Sequence, residues 1–174
     1  AKGELLITAG GTRESIDGVR YLTNFSTGRT GAALARQFQS LGWNVTLLRA
    51  QDGAECEDVH EEYFTDFESL KSQLADILNQ KYFDAVIHAA AVSDFSVEKI
   101  TSNGAPLAQD RKLESSETLE LRLKPNPKLV SMIKEFSRNK DIQTVAFKLT
   151  HNQSESEQWN AVSRLFESGG ADVV

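Results

Sequence analysis

Residues 7–31 read Ile-Thr-Ala-Gly-Gly-Thr-Arg-Glu-Ser-Ile-Asp-Gly-Val-Arg-Tyr-Leu-Thr-Asn-Phe-Ser-Thr-Gly-Arg-Thr-Gly, and no other stretch constrains the fold as strongly. An apolar strand runs into a polar loop with two glycine clusters, and the second cluster opens a helix. Strand-to-helix turns in α/β domains usually take ~2–6 residues, so this connection is too long to be a simple turn. Doubly wound sheets bind ligands at the carboxyl edge of their strands, where this loop begins. Gly10, Gly11, Gly28 and Gly31 allow backbone N–H groups to approach an anion, and a helix N-terminus adds favourable partial charge. The loop is therefore a candidate nucleotide or phosphate site.

The rest of the chain alternates strands and helices. The expected strands cover 4–8, 44–48, 59–64, 85–92, 119–123 and 144–149, with a last one beginning at 172. Apolar residues at Gly31, Leu34, Ala35, Phe38 and Leu41 have helical spacing, and Gly42 stops that helix. A second stripe runs through Phe67, Leu70, Leu74, Ile77 and Leu78. Residues 85–92 are almost wholly apolar, as expected of a central strand buried on both faces. Asn126-Pro127 reads as a capped helix start running to about Phe136, and 155–168 as a further helix. Residues 93–116 form a polar excursion. This pattern predicts one α/β domain over 1–174: a Rossmann-like, doubly wound, mainly parallel sheet with helices on both faces and a flap after the central strand. The chain ends as a strand begins, so the domain is expected to lack its C-terminal end.

A net charge of −6 argues against a nucleic-acid partner. No apolar run approaches the ~20 residues that span a bilayer, and no signal-like segment opens the chain, so a cytoplasmic location is expected. The single cysteine, Cys56, excludes an intrachain disulfide. His60, His88 and His151 lack ligand spacing, so no histidine-based metal site is expected, and His88 reads as a core histidine.

Residues 12–27 separate Gly11 from Gly28, which is incompatible with a tight G-x-G-x-x-G turn, and no P-loop occurs. Arg49 ends the second strand, where it suits the 2′-phosphate of NADP, so an atypical NADP-dependent short-chain reductase is an alternative. The Tyr-x-x-x-Lys pair of such reductases is missing, since Phe25, Phe67 and Val86 follow the tyrosines. Asp94 follows the central strand and can meet a ribose hydroxyl or hydrated Mg²⁺. Lys112, in the polar excursion, is either a solvated lysine or a flap cation for developing phosphate charge.

Together these residues resemble the phosphopantothenoylcysteine synthetases of coenzyme A biosynthesis, the DNA/pantothenate metabolism flavoprotein C-terminal domain. The resemblance is carried by residues 7–14, Val19-Arg20-Tyr21, Asn24 and residues 26–31. His88 through Phe95, Lys112 through Ser116, Asn126 through Leu129, Val145-Ala146-Phe147 and Gly170 through Val174 extend it in order along nearly the whole chain. It implies a ligase that condenses 4′-phosphopantothenate with L-cysteine through an acyl-nucleotide, using Mg²⁺ with CTP, or ATP in its place. No flavin is expected.

The resemblance makes Asn24 and Lys112 the catalytic residues. Gly10, Gly11, Thr12, Ser26, Gly28, Arg29, Gly31, Asp94 and Phe147 would bind nucleotide or phosphate, and a homodimer is implied. Arg29 stands where the family more often has lysine, and Lys148-Leu149 where many members have Ala-Ala. A non-catalytic nucleotide-binding domain of the same fold is the remaining alternative.

Overall fold

The elements run β1 (Glu4–Ala9), β2 (Arg13–Ser15), β3 (Tyr21–Thr23), α1 (Arg29–Ser40), β4 (Asn44–Ala50), β5 (His60–Phe64), α2 (Phe67–Gln80) and β6 (Ala85–His88), followed by β7 (Phe95–Ser102), β8 (Ala105–Pro106), β9 (Leu119–Pro125), α3 (Ile133–Phe136), β10 (Gln143–Ala146) and α4 (Glu155–Glu167). They come from a computed structural model that describes residues 1–110, 112–115 and 118–174. The main sheet has the order β10-β6-β1-β4-β5, and every pairing in it is parallel. An isolated parallel bridge from Val145 to Val173 begins a sixth position beside β10. That is the Rossmann order, with the reversal between β1 and β6.

Alternation along the strands fills two cores. Leu5, Ile7 and Ala9 of β1 pack with Val45, Leu47 and Ile87 on the α1 side. Leu6, Leu48 and Val86 face the other way, against Phe67, Leu70, Leu74 and Leu78 of α2. Asp66 caps α2 by accepting the Ser69 N–H at 2.8 Å, and Ser154 with Glu157 forms a capping box on α4. Gly42, at φ 90°, ends α1 as expected.

Three expectations need correction. The loop after β1 is not simply irregular, because it contains the antiparallel β2–β3 hairpin. The polar excursion holds the longest strand among the described residues: β7 pairs antiparallel with β8 and β9 in a separate sheet. The side chains of this sheet are mostly exposed, which explains the faint hydrophobic pattern. Asn126 does not cap a helix. Its amide donates to the Ser93 carbonyl at 3.1 Å, and a 3₁₀ turn at Leu129–Met132 leads into a single α turn. Ser116, which closes the expected flap motif, lies outside the described residues.

The close approach of α1 to β1 decides where the loop returns to the sheet. A Cβ added at Gly31 would lie 2.3 Å from the Ala9 Cβ, far inside contact distance. Gly31→Ala would gain up to ~1 kcal/mol of helix propensity, but overpacking in a rigid contact costs ~1–3 kcal/mol. A net loss of about 1–2 kcal/mol is expected from these two terms. Urea unfolding of the variant beside the unmodified chain measures it.

Candidate active site at the carboxyl edge

The loop that leaves β1 returns across the reversal point between β1 and β6. Ala89 and Ala91 N–H donate to the Thr8 and Gly10 carbonyls, and Gly11 bridges Ala91, so the parallel pairing continues past the end of β6. Thr12 is fully buried; its N–H donates to the Ala91 carbonyl and its hydroxyl accepts the Ser93 N–H at 2.9 Å. Asn24 spans the same gap from the other arm of the loop, its amide donating to the Val92 carbonyl at 3.4 Å. Asp94 follows two residues later, exposed and ion-paired with Lys128.

The turn carrying Asp94 is held from below. Asn126 N–H donates to the Asp94 carbonyl, and the Asn126 amide donates to the Ser93 carbonyl and the Ser96 hydroxyl. Glu14, nearly fully buried, accepts the Phe67 N–H at the start of α2 and lies in hydrogen-bond reach of the Ser96 hydroxyl. Burial pushes its carboxyl above the ordinary value; the hydrogen bonds from Phe67 and Ser96 oppose this, and the charges of Asp66 and Glu68 add to it. A second buried carboxylate, Asp17, accepts the N–H groups of Val19 and Arg20 and also that of Leu113, which adjoins Lys112. Arg20 donates to Asp17 through its guanidinium as well.

The expected site residues divide into two sets. Thr12 is a buried strut, so its side chain is not the phosphate ligand expected. Gly10 and Gly31 are likewise accounted for by packing: a Cβ at Gly10 would meet the Ala50 Cβ at 2.6 Å. Gly28 adopts φ 74° and sits against the Gly10 N–H, and its carbonyl accepts the Ala32 N–H that starts α1. No side chain caps α1 and no acid lies in its first turn, so its opening N–H groups remain available to an anion. Asn24, Ser26, Arg29, Asp94, Lys112 and Phe147 are the exposed members. Phe147 follows Ala146, the β10 residue paired with His88, and so stands one strand beyond the reversal point at the same edge.

Arg49 is not available for a 2′-phosphate. It is 4% exposed, ion-paired with Glu61 and Glu55, and donates to the carbonyls of Ala50, Gln51 and Gly53 while stacked on Tyr63. A cavity of about 430 Å³ opens beside it, lined by Arg49, Gln51, Tyr63, Phe64, Thr65 and Ser69. Its position at the ends of β4 and β5 separates it from Asp94 and Phe147 at β6 and β10. The candidate site is assigned to the reversal point, where the open polar groups converge. Among the described residues no group of three or more His, Cys, Asp and Glu side chains could hold a metal ion. No described helix is long and apolar enough to cross a membrane.

Sequence reasoning missed Glu14, Asp17, Ser96 and Lys128. The signal for Asp17 was present: an acid three residues before Arg20, in a loop rich in turn formers, is the pattern of an Asx turn.

The strand order and the parallel pairing define a doubly wound α/β domain, with the candidate site at its reversal point. Residues 1–168 match the DNA/pantothenate metabolism flavoprotein C-terminal domain, and the chain belongs to that family. It is 34% identical over 170 residues to the coenzyme A biosynthesis bifunctional protein CoaBC of Thermococcus kodakarensis and 35% identical over 175 residues to that of Methanocaldococcus jannaschii. Each alignment covers 98% of this chain but only 40% and 39% of the relative, so the chain spans about two-fifths of their length. Among solved structures, the DNA/pantothenate metabolism flavoprotein from Streptococcus pneumoniae superposes with a TM-score of 0.82 at 27% identity, covering 98% of this chain and 80% of that one. A Cab2 variant in complex with phosphopantothenate-cysteine shares the fold, with a TM-score of 0.65 at 22% identity, covering 95% of this chain and 70% of that one.

His88 provides a test of this edge. It is buried within hydrogen-bond distance of the Thr8 hydroxyl at 2.8 Å, and burial lowers its pKa from 6.5 to about 4. The unfolded chain therefore binds more protons than the folded one between these values, and stability falls as pH drops through this window, by up to ~3 kcal/mol. Denaturant titrations at pH 7 and pH 5 should show the loss, and His88→Gln should flatten it.

Proposed function

We propose that this domain joins 4′-phosphopantothenate to L-cysteine in two steps, as a phosphopantothenate–cysteine ligase of coenzyme A biosynthesis. In the first, a carboxylate oxygen of phosphopantothenate attacks the α-phosphorus of CTP, or of ATP in its place. The bond to the β,γ-diphosphate breaks and pyrophosphate leaves, giving an acyl-nucleotide. In the second, the amine of cysteine attacks the acyl carbon, loses a proton, and expels the nucleoside monophosphate. The observation that carries this reading is the meeting at one sheet edge of the uncapped α1 N-terminus, Asn24 and the turn bearing Asp94, with the Lys112 segment tied to the same loop through Leu113 and Asp17.

Each group suits one requirement of that chemistry. The N–H groups opening α1, together with Ser26 and Arg29, would take anionic oxygens. Asn24, aimed across the gap toward Val92, would orient the acyl group by donating from its amide. Lys112 would neutralise charge developing on phosphate as the flap settles. Asp94 and Phe147 would border the nucleoside. Mg²⁺ would arrive as part of the nucleotide complex, because Asp94 is the lone acid exposed at this edge among the described site residues and no protein cage for the ion is built here.

A cytoplasmic homodimer belongs to the same reading. Phe95, Leu121 and Leu123 leave exposed apolar surface on the β7–β9 ribbon, which supports pairing of two copies.

The test is pyrophosphate release from protein carrying this domain, supplied with phosphopantothenate, Mg²⁺ and either CTP or ATP, with and without cysteine. Release that needs phosphopantothenate, with amide product only when cysteine is present, is the expected result. Nucleotide binding without release would leave a non-catalytic binding domain. Asn24→Ala should still form acyl-nucleotide but slow amide formation by ~10²-fold. Normal complete turnover in that variant would remove the role given to Asn24. Lys112→Ala should cut turnover by a similar ~10²-fold while stability stays within ~0.5 kcal/mol, as for an exposed side chain. A large fall in Tm would make Lys112 structural instead.

A further inference from the structure

One buried carboxylate ties together two segments that are far apart in sequence. The Asp17 side chain is fully buried, and both of its oxygens are in use. Oδ1 accepts the Val19 N–H at 2.9 Å and the Arg20 N–H at 2.8 Å. Oδ2 accepts the Arg20 guanidinium and, at 3.1 Å, the N–H of Leu113. Three of these four donors belong to its own turn and would form whether or not the flap were present. The fourth comes from the segment between β8 and β9, 96 residues further along the chain.

Leu113 is itself buried, whereas Lys112 and Glu114 on either side of it are exposed. The segment therefore touches the body of the domain through Leu113, and Lys112 projects from the residue next to that anchor. Ionised Asp17 is a strong acceptor, and a charge-assisted bond from a backbone N–H fixes position more firmly than a neutral one. Burial pushes the Asp17 carboxyl up, but the N–H groups of Val19, Leu113 and Arg20 and the Arg20 charge outweigh it and hold the carboxyl below the ordinary value.

We infer that Asp17 is a positioning residue for the reaction: it latches the flap at Leu113, and through that latch sets where Lys112 stands over the sheet edge. It touches no substrate and acts only through the segment it holds. The inference deepens the ligase reading above, since it assigns Asp17 a role in the turnover attributed to Lys112. It also couples the two halves of the site. A shift of the 16–20 turn on substrate entry would move Lys112 with it.

Asp17→Asn keeps the shape of the side chain but removes its charge and one acceptor. Hydrogen exchange should speed up at residues 112–115 by about tenfold or more and stay unchanged in β1, β4 and β6. In the pyrophosphate assay kcat should fall by about tenfold or more while the nucleotide KM moves less than about twofold, as for an interaction felt in the transition state. Combining Asp17→Asn with Lys112→Ala should be no worse than Lys112→Ala alone, because both act through one cation. A merely structural role for Asp17 would add to the Lys112 defect.

Leu113→Pro, which withdraws the flap's N–H and exchanges its buried side chain but leaves Asp17 and its own turn intact, serves where Asp17→Asn fails to fold; it should loosen the neighbouring amides and lower kcat in the same way. Unchanged exchange at 112–115 in the folded variants would overturn the latch. Faster exchange with kcat intact would overturn its role in positioning. If the unmodified protein releases no pyrophosphate with either nucleotide, the ligase reading fails by itself. Faster exchange in Asp17→Asn would then still establish the latch.

Discussion

A chain that leaves a buried sheet at Gly10 and packs back against it at Gly31 of α1 must find partners for every polar backbone group it carries inward. Here that requirement is met by a small set of buried oxygens. Thr12 joins the start of the loop to Ser93, Glu14 joins its first strand to the N-terminus of α2, and Asp17 joins its turn to the flap. Each of these residues lies at or below 6% exposure. An unpaired buried N–H costs ~1–3 kcal/mol, so these side chains are constrained as strictly as the apolar residues of the cores. The loop therefore behaves as a third packed element of the domain, with β1 and α1 as its two ends. The site residues inherit their positions from it.

This arrangement explains why exposed and buried polar residues alternate so closely between 12 and 29. Asn24, Ser26 and Arg29 face outward on a frame whose inward contacts are made by Thr12, Glu14 and Asp17. The frame is also cross-braced. Ser96 and Asn126 lock the turn that bears Asp94, and that turn is bonded in its turn to Thr12. Displacing any one strut would disturb groups contributed by three separate segments of the chain.

Elements with regular apolar spacing were legible in the sequence, the exposed β9 and α4 among them, whereas β7 and the β2–β3 hairpin were missed. The α1 stripe and its Gly42 stop, the apolar run of β6 and the mainly parallel sheet all followed from periodicity and the alternation of strands with helices. β7 escaped because its pattern is faint, with Ile100 and Ser102 its only buried residues, whereas its partner β9 showed in the alternation of Leu119, Leu121 and Leu123. Asn126-Pro127 misled because the Asn amide has better partners in Ser93 and Ser96 than in a helix end. At the candidate site, the motif pointed to the carboxyl edge of the sheet, where the loop lies. It could not separate Gly10, Gly31 and Thr12, which serve packing, from the exposed residues beside them, because both sets occupy one continuous run of sequence.

Arg49 carries a consequence for what this fold can be adapted to do. A dinucleotide occupying both halves of such a sheet edge needs a group near the end of β4 to recognise its second ribose. Here the guanidinium at that position is already neutralised by Glu55 and Glu61 and satisfied by three carbonyls. A ligand reaching for it would have to strip a buried cation from its counter-charges, which is strongly unfavourable. The cavity beside Arg49 is thus walled by a cation already committed to its own counter-charges, whereas the opening N–H groups of α1 have no such partner.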